Sequence, residues 1–174
     1  SYIAGCEARC SRDVWIEANC TGAHYAGWGR GFRGMIGRIN HIAMVVPDLD
    51  VATEQWRDLL GADISAPTIL EDHGVRIAFV SSVNGQVELM EPHGEKSPIT
   101  GFLQRNPEGG MHHICYEVND IGLARQSLEL KGASVLGDGL VQTGAHGRPV
   151  LFLHPKDFNG ILIELEQVSV GGTE

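Results

Sequence analysis

The chain carries one pattern twice, and that duplication constrains its fold more than any other feature. The first copy opens Ile39-Asn40-His41-Ile42-Ala43-Met44-Val45-Val46-Pro47-Asp48-Leu49 and the second Met111-His112-His113-Ile114-Cys115-Tyr116-Glu117-Val118-Asn119-Asp120-Ile121. His41 and His113 hold the same place in each, 72 positions apart (113 − 41). Each copy closes on an apolar segment with one embedded glutamate, Val87-Glu88-Leu89-Met90 and Ile163-Glu164-Leu165, 76 positions apart (164 − 88). Between these marks Gly61-Ala62 answers Gly132-Ala133, and Gly74 answers Gly147. A drift of a few residues across a whole copy is what a structural duplication with small loop changes leaves behind. Equivalent positions of two such units converge near a pseudo-twofold axis.

Within each copy the elements can be read from pattern. Ile39 to Val46 is apolar and rich in β-branched residues, and Pro47 stops it, which predicts a strand. Asp48 can cap a helix over 49–60 whose stripe is Val51, Ala52, Trp56, Leu59 and Leu60, and Gly61 ends it. Strands are predicted near Ile64, over 75–81 and over 86–91, with Asn84-Gly85 as a hairpin turn. The second copy predicts a strand over 113–118, a helix over 121–131 ended by Gly132, and strands near 134–136, over 149–154 and over 160–167. Ser97 to Gln104 reads as a short helix with Pro98 in its first turn. The expected class is α+β: two tandem βαβββ modules, about 37–92 and 111–167, joined by a linker helix over 97–106. Each forms a curved sheet with a helix outside, and the open edge of each half calls for a second half.

Residues 1–34 differ from the rest of the chain. They lack a sustained period, and their acidic residues Glu7, Asp13 and Glu17 are unlike a transit peptide, so a poorly structured extension before a domain over 35–174 is expected. Cys6, Cys10 and Cys20 lie there without a fourth partner at metal-site spacing, and free thiols are expected for them and for Cys115. The formal net charge of −9 argues against nucleic acid or an anionic membrane as partner. No apolar run is long enough for a membrane span.

The repeat also points to the chemistry-bearing residues. One histidine inside an apolar strand is ordinarily a packed core residue, but His41 and His113 recur together. Glu88 and Glu164 sit inside apolar strands, where a carboxylate needs a partner or an ion. His41, Glu88, His113 and Glu164 are therefore the candidate ligands of a Zn, Co, Ni or Mn-type divalent ion. His112 has no mate, since Asn40 stands in its place, and strand alternation predicts that His112 and His113 cannot both face the site. By the same alternation Glu166 points with Glu164, as a candidate rim or interface group, and Glu91 is expected in solvent. His154-Pro155-Lys156-Asp157 reads either as a plain polar loop or as one that places Lys156 near a ligand anion. Gly144-Ala145-His146-Gly147 reads either as a connector or as a loop over the substrate. His154, Lys156 and His146 are the candidate substrate contacts, with Lys96, Arg105 and Arg148 as further basic candidates.

These stretches resemble the vicinal-oxygen-chelate superfamily, with its glyoxalase-like fold, and within it the methylmalonyl-CoA epimerases. The paired His/Glu pattern carries the wider likeness. Ser97-Pro98-Ile99, Gly109-Gly110-Met111-His112-His113 and His154-Pro155-Lys156-Asp157 carry the narrower one, over about 37–167. The resemblance implies a metal-dependent isomerase that interconverts (R)- and (S)-methylmalonyl-CoA by removing and returning an α-proton. It implies cobalt or zinc on His41, Glu88, His113 and Glu164, with nickel or manganese also suited, and a homodimer. It also implies a bacterial cytoplasm or an animal mitochondrial matrix. Glu88 and Glu164 are the expected acid/base pair. There is one departure: some bacterial relatives carry a proposed catalytic glutamate where this chain has Ile77, and glutamine where it has Glu88. A lactoylglutathione lyase shares the ligand set, and its substrate, the glutathione adduct of methylglyoxal, separates the two. A metal-free binding module of the same fold would have lost the ligands, and metal analysis separates that class.

Overall fold

A computed structural model describes residues 34–137 and 140–168. The expectation for residues 1–34, apart from Gly34, and that for Cys6, Cys10 and Cys20 lie outside the described residues. In chain order the elements are β1 (Ile39–Val45), α1 (Leu49–Leu60), β2 (Asp63–Ile64), β3 (Thr68–Leu70), β4 (Val75–Ser82), β5 (Gly85–Pro92), α2 (Thr100–Arg105), β6 (Gly110–Val118), α3 (Ile121–Leu130), β7 (Gln142–Thr143), β8 (Pro149–Leu153) and β9 (Leu162–Gln167). Single 3-10 turns cover Glu71–His73 and Pro155–Asp157.

The two helices start alike because their sequences do. Asp48 Oδ1 accepts from the Val51 amide at 3.0 Å, and Asp120 Oδ1 from the Leu123 amide at 2.8 Å. The last strand of each copy then supplies a second acceptor. Glu91 Oε2 takes the Leu49 amide at 2.6 Å, and Gln167 Oε1 takes the Ile121 amide at 3.0 Å. Amides at a helix start have no partner within the helix, so each strand end anchors its own helix. Glu91 is thus not the free surface group expected: its side chain also holds Arg76 Nη1 at 2.9 Å, and Arg76 in turn pairs with Asp50 on α1.

The strands form one mixed sheet in the order β2-β4-β5-β1-β6-β9-β8-β7, with β3 also paired to β4. β1 lies parallel to β5, β6 lies parallel to β9, and the two copies meet where β1 and β6 pair antiparallel. The halves therefore join within one chain. Some boundaries differ from expectation. The hairpin turns at Val83-Asn84, because Gly85 already pairs with Ser82 as the first residue of β5. The helix expected from Ser97 begins only at Thr100. The short strands β3 and β7 have no counterpart in the sequence pattern; segments of two or three residues are too brief for alternation to show. The strand expected at 134–136 is a single bridge from Val135 to Leu153.

Side-chain alternation sorts the core. On the outer face Val87 and Leu89 pack with Leu49 and Ala52 of α1, and Ile163 and Leu165 pack with Ile121, Ala124 and Leu128 of α3. Fully buried leucines such as Leu89 and Leu151 each contribute about 2–3 kcal/mol by removal from water. On the inner face Ala43, Val45, Val75, Ile77 and Met90 make an apolar wall with Ile99. Glu88, Glu164 and Glu166 share that inner side, and they are the residues alternation could not send to solvent.

Candidate metal centre

The four strands at the middle of the sheet supply one ligand-type side chain each. β1 gives His41 and β6 gives His113, while the strands flanking them, β5 and β9, give Glu88 and Glu164. All four are buried, at 2, 4, 4 and 5% exposure for His41, His113, Glu88 and Glu164. His41 Nε2 lies 3.4 Å from His113 Nε2, 3.5 Å from Glu88 Oε2 and 3.4 Å from Glu164 Oε2. His113 Nε2 lies 2.8 Å from Glu164 Oε2 and 4.0 Å from Glu88 Oε2. Ligand atoms about 2.1 Å from one dication stand roughly 3.0–3.4 Å from each other in octahedral or tetrahedral geometry. Two imidazole nitrogens and two carboxylate oxygens, at separations of 2.8–4.0 Å that bracket those values, are a donor set that fits a divalent metal.

The electrostatics agree. Burial works against a charge on His41, but the hydrogen bond to Glu164 and the nearby Glu88 outweigh it and raise its pKa. Burial likewise opposes ionisation of Glu164, yet hydrogen bonds from His113 and His41 hold its carboxyl down to about 2. Burial dominates at Glu88 and pushes its carboxyl up. The raised His41 and the raised Glu88 both favour the protonated form, so an ion bound here competes with protons.

Each histidine is held from behind by its neighbour in sequence. His41 Nδ1 lies 3.0 Å from Asn40 Oδ1, and His113 Nδ1 lies 2.9 Å from His112 Nδ1. The amide oxygen of Asn40 can only accept, so His41 donates from Nδ1, which leaves Nε2 as the atom that carries the lone pair toward the centre whenever the ring is neutral. Burial, with His113 adding to it, lowers the His112 pKa to about 4, so His112 is neutral and accepts in the same way. Both partners come from irregularities in the β1–β6 pairing. Against Cys115 and Tyr116 the register of β1 skips Asn40, and against Ala43 and Met44 the register of β6 skips His112. An extra residue in a strand breaks the alternation. That is why His112 lines the cavity along with His113, contrary to the expectation that only one could face it.

Two further groups crowd the centre. Cys115 is fully buried on β6, and its thiol hydrogen-bonds Glu164; burial and the neighbouring carboxylates push its pKa well up, so it stays protonated. Glu166 is 1% exposed, and instead of forming a rim it is held by His146 Nδ1 at 3.0 Å and Arg148 Nη1 at 3.1 Å. The His146 ring stacks on Phe79, with centroids 4.9 Å apart, and meets His41 edge-on at 5.9 Å. Sequence reasoning leaves Cys115 out of the site and sets Glu166 only at its rim; their positions inside apolar strands beside His113 and Glu164 are the available signal.

A cavity of about 890 Å³ opens from the four candidate ligands, with an apolar lining from Met90, Val75, Ile99, Val150, Phe152 and Leu162. Gly144 and Ala145 line it, while His146 of the same loop turns instead to Glu166. His154 caps the 3-10 turn after β8, accepting from the Lys156 amide at 3.1 Å, and Lys156 is exposed; neither lines the cavity. Lys96 stands on its rim.

The profile of the glyoxalase/bleomycin resistance protein/dioxygenase superfamily matches residues 40–152. The ethylmalonyl-CoA/methylmalonyl-CoA epimerase of Cereibacter sphaeroides is 60% identical over 134 residues, covering 77% of this chain and all of that protein. This chain belongs to the methylmalonyl-CoA epimerase family. The mitochondrial methylmalonyl-CoA epimerase of Homo sapiens is 50% identical over 132 residues, 76% of this chain and 74% of that protein. A solved methylmalonyl-CoA epimerase in complex with methylmalonyl-CoA and NH4+ superposes with a TM-score of 0.68 at 32% identity, covering 78% of this chain and 96% of that one. The family's glyoxalase-like fold is the mixed sheet with two outer helices found in this chain. Among the described residues no helix is long and apolar enough to cross a membrane.

Proposed function

We propose that this chain epimerises methylmalonyl-CoA at its α-carbon, with ethylmalonyl-CoA as a second substrate, and that His41, Glu88, His113 and Glu164 hold a cobalt or zinc ion. The observation that carries the reading is the buried set of two histidines and two carboxylates at the foot of an apolar cavity. A divalent ion held by these four side chains would supply Lewis-acid stabilisation of negative charge developing on a substrate oxygen. The chain does the rest. An α-proton between a thioester and a carboxylate is weakly acidic, so it needs a positioned base on one face and a conjugate acid on the other. Glu88 and Glu164 come from strands that flank the histidine strands on either side, which suits one carboxylate to each face. We assign one as base and the other as acid, with roles exchanged for the opposite enantiomer. Ile77 stands in the apolar wall beside Met90, so no glutamate from β4 competes for this part. The wall formed by Val75, Met90, Ile99 and Phe152 excludes water from the carbanionic carbon and has room for an alkyl substituent. A homodimer belongs to the same reading, and sedimentation velocity checks it.

Proton NMR of the metal-loaded protein with methylmalonyl-CoA in deuterated water tests the activity. Loss of the α-proton signal, abolished by a chelator, is the expected result. Turnover of the methylglyoxal–glutathione adduct in place of α-proton exchange would move the chain to lactoylglutathione lyase chemistry. Exchange of neither, with the metal bound, would leave the fold and remove the proposed substrate.

A further inference from the structure

One support of the metal centre lies beyond what the duplication supplies. Asn40 stands behind His41, with its Oδ1 3.0 Å from Nδ1 of the ring. The other end of the same amide is also held: Asn40 Nδ2 donates to Glu117 Oε1 at 3.3 Å, from β1 to β6. The register skips Asn40, between Ile39 paired with Tyr116 and His41 paired with Cys115. Its side chain therefore leaves the alternation and meets Glu117, one step along β6 from Tyr116.

Glu117 is fixed at that point by its own backbone. Its amide donates to the Arg38 carbonyl at 2.9 Å, and its carbonyl accepts from the Gly37 amide at 2.6 Å. Asn40 and Glu117 are both partly buried. Among the described residues no Lys, Arg or His stands within ion-pair distance of the Glu117 carboxylate, so its oxygens are left for the amide. The twofold relation of the copies carries Asn40 to His112 and Glu117 to position 45 (117 − 72), which is a fully buried valine. The carboxylate thus serves the His41 side alone.

These contacts have a direction. A carboxamide offers an acceptor at one end and two donors at the other, and it fits its space either way round. An ionised carboxylate only accepts. Glu117 therefore decides which end of Asn40 faces it, and Asn40 then decides which nitrogen of His41 carries the proton. With the amide reversed, its NH2 group would donate to Nδ1. A neutral ring would then carry its proton on Nε2, where it can bind no ion.

We propose that Glu117 is a positioning residue for the metal centre: it sets the Asn40 amide, and through it the tautomer of His41, so that Nε2 is free for a cation. The inference rests on the metal-binding reading of the four candidate ligands. Outer partners of a ligating histidine fix its ring and raise its basicity; here the acceptor that fixes the ring is itself fixed by a second acceptor.

The test is a chelator competition for zinc across a set of variants. Glu117→Ala is expected to weaken binding about tenfold, the low end of what loss of an outer partner brings. Glu117→Gln keeps an acceptor of the same length and loses the charge, so it should stay within about threefold of wild type. Unchanged binding by Glu117→Ala would overturn the proposal. So would a Glu117→Gln as weak as Glu117→Ala, since the negative charge alone would then be drawing the cation. A second arm places an acceptor directly on the ring. In Asn40→Asp no amide remains to be set, so adding Glu117→Ala should cost nothing further, a non-additivity that a double-mutant cycle reads. The same penalty in both backgrounds would mean that Glu117 does not act through Asn40. If the wild type holds no zinc, the metal reading itself has failed, and the relay is judged on the metal-free ring by NMR of its nitrogens at alkaline pH, where the ring is neutral. A proton on Nδ1 in wild type that is shared with Nε2 in Glu117→Ala supports the relay, and identical rings overturn it.

Discussion

Replacing Glu88 by glutamine separates what this carboxylate does for a metal from what it does for a proton. The amide keeps an oxygen donor of nearly the same shape at a position only 4% exposed, with Oε2 3.5 Å from His41 Nε2. It has no basicity, so it can hold an ion and cannot take a proton. A positioned general base contributes about 10²–10⁴-fold, which is roughly 3–5 kcal/mol on the barrier at about 1.4 kcal/mol per tenfold. The two faces of the α-carbon make the prediction sharper than a loss of rate. With Glu164 intact, one enantiomer should still wash its α-proton into deuterated water, while conversion between enantiomers falls by the full ~10²–10⁴. The assay is α-proton exchange by NMR on each enantiomer separately, alongside chiral analysis of the product and metal content by elemental analysis. Wild-type interconversion by Glu88→Gln at equal metal content would refute the assignment. Loss of exchange from both enantiomers, together with loss of metal, would reduce Glu88 to a ligand.

The same geometry carries three more expectations. The metal-free protein should melt at progressively lower temperature as pH rises above the ordinary imidazole value: the raised pKa of His41 gives stability that is complete below the unfolded value and lost as pH passes the folded one, and the raised Glu88 acts in the same direction, while His112, held down to about 4, adds stability with rising pH only below that range. Glu164, held to about 2, titrates below this window, and the metal-saturated protein should show no such fall; a flat or rising metal-free profile in differential scanning fluorimetry would contradict this. Asn40→Ala, and separately His112→Ala, should weaken metal binding about 10–100-fold in a chelator competition, and unchanged affinity would remove both from their supporting role. Gly109→Ala should cost at least ~2 kcal/mol in urea unfolding, because its φ is +81° and a Cβ would overlap the Val45 carbonyl oxygen; Gly61→Ala, at φ +63° with open space around it, should cost about 1 kcal/mol.

Much of the centre is legible in the sequence because the repeat makes its members visible in pairs. Histidine and glutamate inside apolar strands are costly unless they have partners, and finding each one twice at nearly constant offset points to a shared partner. The helices are equally open to reading, since aspartate caps and closing glycines are local signals; α1 spans the predicted 49–60. What stays hidden depends on pairing between distant strands. The register skips that bring Asn40 and His112 behind the histidines exist only where β1 meets β6, and no window of one strand contains them. Glu91 reads as outward, and Glu166 only as a group beside Glu164 at a rim or interface, because alternation gives a face but not the neighbours on that face; Arg148, His146 and Arg76 reach them from other strands and loops. The short strands β3 and β7 are edge additions whose sequences carry no period of their own.

One consequence of the sheet order concerns assembly rather than catalysis. The two copies share a single strand pair, β1 with β6, and the candidate ligands come as one histidine and one glutamate from each side of that seam. An ion bound there works as a rivet: it binds neither half fully, and it draws together four side chains that would otherwise repel or compete for protons across the joint. Each half therefore reports on the other. Weakening the packing under α3 should loosen His41 as well as His113, and emptying the centre should let the halves open along the seam before either unfolds by itself.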